Sequence, residues 1–502
     1  MPPAKGGGME IYMNFKADWS FLEKISMGAV SSREVIKMLN EAGHEVIELE
    51  RYSTSNKIWA TKIKRLRLPD LICLKCGRRI ESRAKSNLDV RMSDNENNQS
   101  RRWDAGLRDE DLIAFIKCEK TEDGWLPGSQ VNLFQTMSLR ETVNSSRLGD
   151  PKSPGEGAER DRIWPSSIPK KNGKVIDVME DDEKLQIKVQ YDNGKKYTYS
   201  TKREKGYHAY CKPGDVFCAN EVMIAGIPTK KEKIDTCQGG YNFLEDLESD
   251  VKEVRYAGVK ALGYLENKQK YVEKLYLLKK IETDKRVTLE IYSSLIRLGE
   301  DVWKEFYEYA MSLDEEEYKF EYVLILAELN EYPEAENILC EIAKDSSMNT
   351  EMRSAAAWGI KVSLDSISDL LEIAKSDKDS VASHAIANLI VNYNEEFTLQ
   401  LIDLIVDDIS GGIVLKILTE IEMSDPELIV NIYSKLTSKL QKKWCAMIIG
   451  LSVDEKYMVF NEKIKNVDLE KYILIKALWD YSKFSVTSYR NGEIEFLKKQ
   501  TI

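Results

Sequence analysis

Hydrophobic and polar positions along the chain define three kinds of segment. Over residues 185–191, Leu185, Ile187, Val189 and Tyr191 alternate with Gln186, Lys188 and Gln190, the period of two expected of a half-buried strand. Asn193-Gly194 follows, then Lys196-Tyr-Thr-Tyr-Ser200, which predicts a hairpin closed by a tight turn. Nearer the N-terminus, Ser31-Ser-Arg-Glu34 fits a capping box ahead of a helical stripe of Val35, Met38, Leu39 and Ala42, with Gly43 as the stop. Glu45–Arg51 reads as a strand. Leu68-Pro69-Asp70-Leu71-Ile72-Cys73 is a turn that becomes a strand, and a Cys-Leu-Lys-Cys-Gly turn leads into Arg79–Lys85. On that last strand Glu81, Arg83 and Lys85 share one face, and Ile80, Ser82 and Ala84 the other.

Beyond residue 240 the pattern becomes helical and repeats. Units open near Asp250, Asp284, Asp314, Asp345, Asp377, Asp408, Ser438 and Asp468, at steps of about 31 residues, the signature of stacked helix pairs. In the first unit Val254, Ala257 and Ala261 lie on one stripe, and Tyr271, Leu275 and Leu278 on the stripe of its partner helix. The segment Asp250-Val-Lys-Glu-Val-Arg-Tyr-Ala-Gly-Val-Lys-Ala-Leu resembles a HEAT repeat, whose pattern sets an aspartate before a V-R-x-x-A-x-x-A-L helix. The expected fold is therefore multidomain: an α/β domain over 9–142, a Ser/Pro/Gly/Lys-rich linker over 143–172, a small β-barrel over 173–236 and an all-α, HEAT-like solenoid over 241–490.

The 502 residues suit about three domains at roughly 150 residues each. No stretch approaches the roughly 18 apolar residues of a membrane span. The first eight residues have no apolar core of the secretory kind and read as a flexible lead-in, with Met9 a second candidate start. Eight cysteines in so long a chain suit a reducing cytoplasm rather than a disulfide scaffold. Three histidines, at 44, 208 and 384, are too few for HNH, HD or His-rich zinc hydrolase chemistry. The net charge of −11 is unevenly spread: +2 over 1–150, +3 over 151–240 and −16 over 241–502. Within the first segment, 51–108 carries 15 basic and 6 acidic side chains. Such a block suits a polyanion face. Its candidate nucleic-acid contacts are Lys57, Lys62, Lys64, Arg65, Arg67, Arg101 and Arg102, interleaved with Trp59 and Trp103; core tryptophans among exposed arginines are the plainer reading. The acidic solenoid would repel nucleic acid, which leaves it a protein partner or self-association.

Two strands joined by a short turn can bring Asp70 and Glu81 together, and two carboxylates there could bind a hard divalent cation. The order helix, strand, Pro-Asp, strand, Glu-x-cation over residues 30–116 resembles the PD-(D/E)XK nuclease superfamily. That resemblance implies a restriction-endonuclease-like α/β fold. It also implies Mg²⁺ (or Mn²⁺) held by Asp70, Glu81 and the backbone carbonyl of Ser82, and hydrolysis of phosphodiester bonds in nucleic acid, DNA above all. The third catalytic position holds Arg83 where the family has lysine, so either Arg83 or Lys85 supplies the cation; arginine cannot readily act as a base. Glu34 is a further carboxylate of the kind first helices supply in that superfamily. By analogy alone, the combination suits restriction or anti-phage defence.

Cys73-x-x-Cys76-Gly77 is half of a tetrahedral zinc site. Cys211 with Cys218, or Cys118, or Cys237, could complete it; the first pair would clamp the barrel to the first domain. Asp94 and Asp104 are candidate carboxylates behind a metal. The competing expectation, from a different class, is a non-catalytic HEAT-repeat scaffold whose N-terminal domain only binds nucleic acid or protein.

Overall fold

The computed structural model describes residues 19–49, 59, 61, 66–121, 124–152, 159–266, 268–375, 379–406 and 411–452. They fall into two compact units, one of 19–49 with 66–318, the other of Trp59, Thr61 and 319–452. Among them no helix is long and apolar enough to cross a membrane.

The first unit opens with α1 (Trp19–Glu41), β1 (Val46–Glu48), β2 (Leu71–Cys73), β3 (Arg79–Lys85), β4 (Val90–Asp94), β5 (Leu112–Thr121) and β6 (Gly124–Gln135). Five of the strands make one sheet in the order β1-β2-β3-β5-β6, with β3 and β5 parallel and the other neighbours antiparallel. Alternation on β5 explains how both faces are covered. Leu112 and Ala114 join Leu71, Ile80 and Leu133 beneath Val35 and Leu39 of α1. Ile113 and Phe115 join Phe134, Trp103, Trp164 and Met223 on the opposite face.

Helix α1 begins at Trp19, so Ser31 lies inside it and caps nothing. Between Trp19 and Ser31 only Gly28 disfavours a helix, at about 1 kcal/mol, and packing overrides it. The Ser31 hydroxyl instead meets that of Ser82 at 3.1 Å, which fixes the α1 face of β3.

The next elements are α2 (Thr136–Glu141), β7 (Arg147–Leu148), β8 (Arg160–Trp164) and β9 (Ser166–Ser167). Residues 143–172, expected as a linker, thus include three strands. β8 pairs with β4 and β7, and its Trp164 is fully buried with its ring 5.0 Å from that of Trp103. A composition rich in Ser and Pro concealed one indole and the Arg162–Asp94 ion pair that anchor the segment.

Then come β10 (Gly173–Glu180), β11 (Lys184–Tyr191), β12 (Lys196–Lys202), β13 (His208–Ala209), β14 (Val216–Phe217) and β15 (Ala225–Gly226). They pair as two sheets, β12-β11-β10-β14 and β13-β15-β9. Val175, Leu185, Ile187, Val189, Phe217, Ile224 and Ala225 form their common core.

The first unit ends with α3 (Phe243–Asp246), α4 (Lys252–Leu262), α5 (Lys268–Lys279), α6 (Lys285–Arg297) and α7 (Trp303–Ser312). The Asp284 carboxylate caps α6 by accepting from the backbone N–H groups of Arg286 and Val287. A Cβ on Gly263 would come 2.8 Å from Ser294, so a small residue is what lets α4 and α6 approach.

The helices that follow are α8 (Glu316–Glu328), α9 (Pro333–Lys344), α10 (Thr350–Gly359), α11 (Ile367–Ile373), α12 (Asp379–Val391), α13 (Glu395–Asp403), α14 (Gly411–Ser424), α15 (Pro426–Lys435) and α16 (Lys439–Ser452). In the second unit α10 packs on α12, α12 on α14 and α14 on α16, so alternate helices stack in a row. Not every unit is capped by its marker aspartate: α10 is capped by Asn349, four residues past Asp345. Asp377, Asp408 and Asp468 lie outside the described residues. Trp59 is wholly buried here, stacked on His384 at 5.2 Å and edge-on to Phe320 at 5.6 Å.

Arg79, at the start of β3, donates through Nε to Asp111 Oδ1 at 2.9 Å, with both side chains almost fully buried. Asp111→Ala is expected to destabilise the chain by about 3–5 kcal/mol by stranding the guanidinium. Replacing both by apolar residues (Arg79→Met with Asp111→Leu) should cost less. Urea unfolding of the three proteins measures the difference.

Candidate metal centre and the carboxylates beside it

Three separate segments converge at one end of the β2–β3 hairpin. Helix α1 closes with Gly43 at φ +84°; Gly43 N–H donates to Asn40 O at 2.9 Å and His44 N–H to Leu39 O at 3.1 Å. This paired closure turns the chain sharply and delivers His44. The hairpin turn is set by Cys73 N–H to Arg78 O and Gly77 N–H to Cys73 O, both 2.9 Å. Gly77 has φ +67°, and a Cβ there would lie 2.4 Å from the Tyr241 ring, so glycine is required twice over. The third segment returns past β6 and is fastened by Cys237 N–H to Ala42 O at 3.1 Å.

As a result one ligand atom each from His44, Cys73, Cys76 and Cys237 lies within 4.8 Å of every other, a group able to hold a metal ion. Nδ1 of His44 is 3.3 Å from Cys73 Sγ and 3.6 Å from Cys76 Sγ, and the sulfurs of Cys73 and Cys237 are 3.8 Å apart. The other imidazole nitrogen, Nε2, is 3.0 Å from the carbonyl of Asp235. A carbonyl only accepts, so Nε2 carries the proton and Nδ1 turns its lone pair to the sulfurs. A hydrogen bond from the Cys76 thiol pulls Cys73 far below the usual thiol range, and the reciprocal contact with Cys73 pushes Cys76 up.

Cys73 and Cys76 are the half-site read from the sequence, and Cys237 was one of its candidate completions. His44 was missed; its only sequence signal is a position directly after a helix-stopping glycine. Cys211 and Cys218 are not in the group: Cys211 packs against the β10–β11 core, and burial raises its thiol to about 11. Cys118 is buried on β5.

The carboxylates sit on the other end of the same hairpin. Leu71 faces Ile80 and Ile72 faces Arg79. Continued by one residue, this register sets Asp70 opposite Glu81. Asp70 Oδ2 accepts from Ser82 N–H at 2.8 Å, and its carbonyl accepts from Leu49 N–H at 2.8 Å. Glu81 is 9% exposed, with Oε1 2.7 Å from Arg83 Nη2. Lys85 lies over the Phe115 ring at 5.6 Å, donates to Arg91 O at 2.5 Å and lies 3.5 Å from Asp89. Burial lowers its pKa to about 8. Cys73 lies three residue steps along the strand from Asp70, about 10 Å at the rise of a strand.

The remaining candidates scatter. Glu34 pairs with Lys37 along α1. Asp94 serves Arg162, and Asp104 serves Arg140. Arg67 is exposed, Arg101 lies 3.6 Å from Glu159 and Arg102 lies 3.4 Å from Asp104. Lys57, Lys62, Lys64 and Arg65 lie outside the described residues. Trp59 and Trp103 are both buried, which is the plainer of the two expectations for them. No protein family's sequence profile matches this chain, and no curated protein is significantly similar to it.

Two measurements follow from this geometry. Cobalt(II) added to metal-stripped protein should give the intense thiolate-to-metal absorption of a tetrahedral sulfur site. Cys76→Ser and Cys237→Ser should weaken it, whereas Cys211→Ser and Cys218→Ser should leave it intact.

Lys85 offers a pH test. Its folded value of about 8 lies below the ordinary 10.5, so between these limits the unfolded chain binds the extra proton. Its stability contribution is therefore present at high pH and lost as pH falls through about 8. Relative to Lys85→Met, the wild type should gain stability between about pH 7.5 and about pH 9.5 in urea unfolding.

Proposed function

We propose that this chain is a divalent-cation-dependent phosphodiester hydrolase acting on nucleic acid, DNA being the expected substrate. The observation that carries the reading is the β2–β3 register, which sets Asp70 against Glu81 with Lys85 further along the Glu81 face. Asp70, Glu81 and the Ser82 carbonyl would hold Mg²⁺ or Mn²⁺, hard cations that take oxygen ligands. Such a cation would polarise a phosphoryl oxygen and acidify a bound water. The Asp70 carboxylate is aimed by Ser82 N–H, and the Arg83 guanidinium keeps positive charge beside Glu81. Arg83 and Lys85 would offset charge developing on the phosphate, since neither arginine nor a protonated lysine is a base.

The same reading makes the sulfur-rich group a structural zinc site. Tetrahedral zinc with thiolates at about 2.3 Å sets its sulfurs about 3.8 Å apart, the separation of Cys73 and Cys237. With four protein ligands no position is left for substrate. Zinc would fix the hairpin while the carboxylates do the chemistry.

One observation favours a second reading. Arg83 already holds Glu81 at 2.7 Å, as an internal ion pair would in a domain without catalysis. The helical repeats would then make the chain a scaffold.

Plasmid and single-stranded substrates incubated with Mg²⁺ or Mn²⁺ separate the two. Asp70→Asn and Glu81→Gln should each lower cleavage by at least about a hundredfold. Cleavage that survives both substitutions would remove the site assignment, and a wild type inert on every substrate would favour the scaffold.

A further inference from the structure

Far along the chain from the carboxylates, the β11–β12 hairpin carries a second constellation. It closes through Asp192-Asn193-Gly194, with Gly194 at φ +78°. The register sets Tyr197 opposite Val189 and Tyr199 opposite Ile187. Odd positions of β12 therefore lie on the face that carries the β10–β11 core. At the rim of that core three tyrosines lock together. The hydroxyls of Tyr191 and Tyr199 are 2.9 Å apart. The Tyr197 ring lies over Tyr191 at 6.4 Å and 28°, and edge-on to Tyr199 at 4.8 Å and 73°. Tyr197 is held from two sides and is still 53% exposed.

Lysines ring this platform. Asp192 N–H donates to Asn172 O at 3.1 Å, which brings the loop holding Lys170 and Lys171 to the turn. The Tyr199 hydroxyl meets the Lys170 backbone. Lys195 lies across from Tyr191, whose N–H donates to its carbonyl. All three lysines are exposed, and among the described residues none forms an ion pair. Elsewhere on the sheet, Lys188 pairs with Asp177 and Lys202 with Glu204, both at 3.4 Å. Asp192, in the turn itself, is the nearest acidic residue in sequence to Lys195.

We propose that this face binds single-stranded nucleic acid, with an unpaired base stacked on Tyr197 and flanking phosphates on Lys170, Lys171 and Lys195. A fixed, exposed ring beside cationic side chains is the arrangement that holds single strands without reading their sequence. A duplex keeps its bases stacked on one another and has no free ring face for Tyr197. An acidic peptide would use the lysines and leave the tyrosine idle. The inference adds to the proposed hydrolase the strand it would hold, and it rests on that reading only for the purpose of binding.

The test is fluorescence anisotropy of the full chain with labelled oligothymidylate, oligouridylate, a DNA duplex and polyglutamate, without added Mg²⁺. Single strands of either sugar should bind more tightly than duplex or polyglutamate. Tyr197→Ala should weaken single-strand binding by about 5- to 100-fold while Tyr197→Phe retains it. Lys170→Glu, Lys171→Glu and Lys195→Glu combined should lower the slope of log affinity against log salt by about 2. Circular dichroism and thermal midpoints verify that the variants fold. Tyr197→Ala binding single strands like the wild type would overturn the proposal, as would equal affinity for duplex or polyglutamate. Cleavage assayed in parallel keeps the two ideas apart. Tyr197-dependent binding in a chain that cuts nothing sinks the hydrolase alone, and cleavage with tyrosine-independent binding sinks this one alone.

Discussion

The antiparallel pairing of β2 with β3 is the constraint on which the N-terminal structure turns. Its seven backbone positions from Asp70 to Cys73 and Arg79 to Glu81 join two clusters of unlike chemistry, sulfur and imidazole at the turn and carboxylates at the open end. A hairpin alone is only marginally stable. This one is held by β1 and β5 on its edges, by Leu71 and Ile80 under α1, and at the turn by His44 and Cys237 from two other segments. Each hold fixes the register, and the register decides which side chains meet.

Local signals made part of this legible. The alternation over 185–191 and the Asn193-Gly194 turn are the β11–β12 hairpin. The 31-residue step put helix starts near the observed ones, α4, α6, α8 and α10 beginning close to Asp250, Asp284, Asp314 and Asp345, because the residue that opens each unit is a local signal. The strand pair around Asp70 and Glu81 was readable because Pro-Asp and Cys-x-x-Cys-Gly punctuate it.

What stayed hidden depends on distance along the chain. His44 and Cys237 reach the turn from 29 and 164 residues away from Cys73, as a helix closure and a returning loop. No spacing rule encodes such a meeting. Residues 143–172 looked like a tether because polar composition outweighed one tryptophan and one arginine that packing makes decisive. Trp59 stands in a basic run, and its ring lies among Phe320, Trp358 and His384, the core position that was the plainer of its two readings. Only the burial of its neighbours explains why an indole stands in a lysine-rich run.

The spacing between Cys76 and Glu81 carries a lesson about how this region can change over time. Side chains on a strand alternate faces, so one residue gained or lost there would turn Glu81 toward Ser31 and leave a hydroxyl or an alkyl group where the carboxylate stood. A substitution in this interval that spares Gly77 and Arg79 leaves the register as it is, whereas a change of length does not. Drift in this stretch should therefore proceed by exchange of residue types, with insertions confined to the loops beyond it.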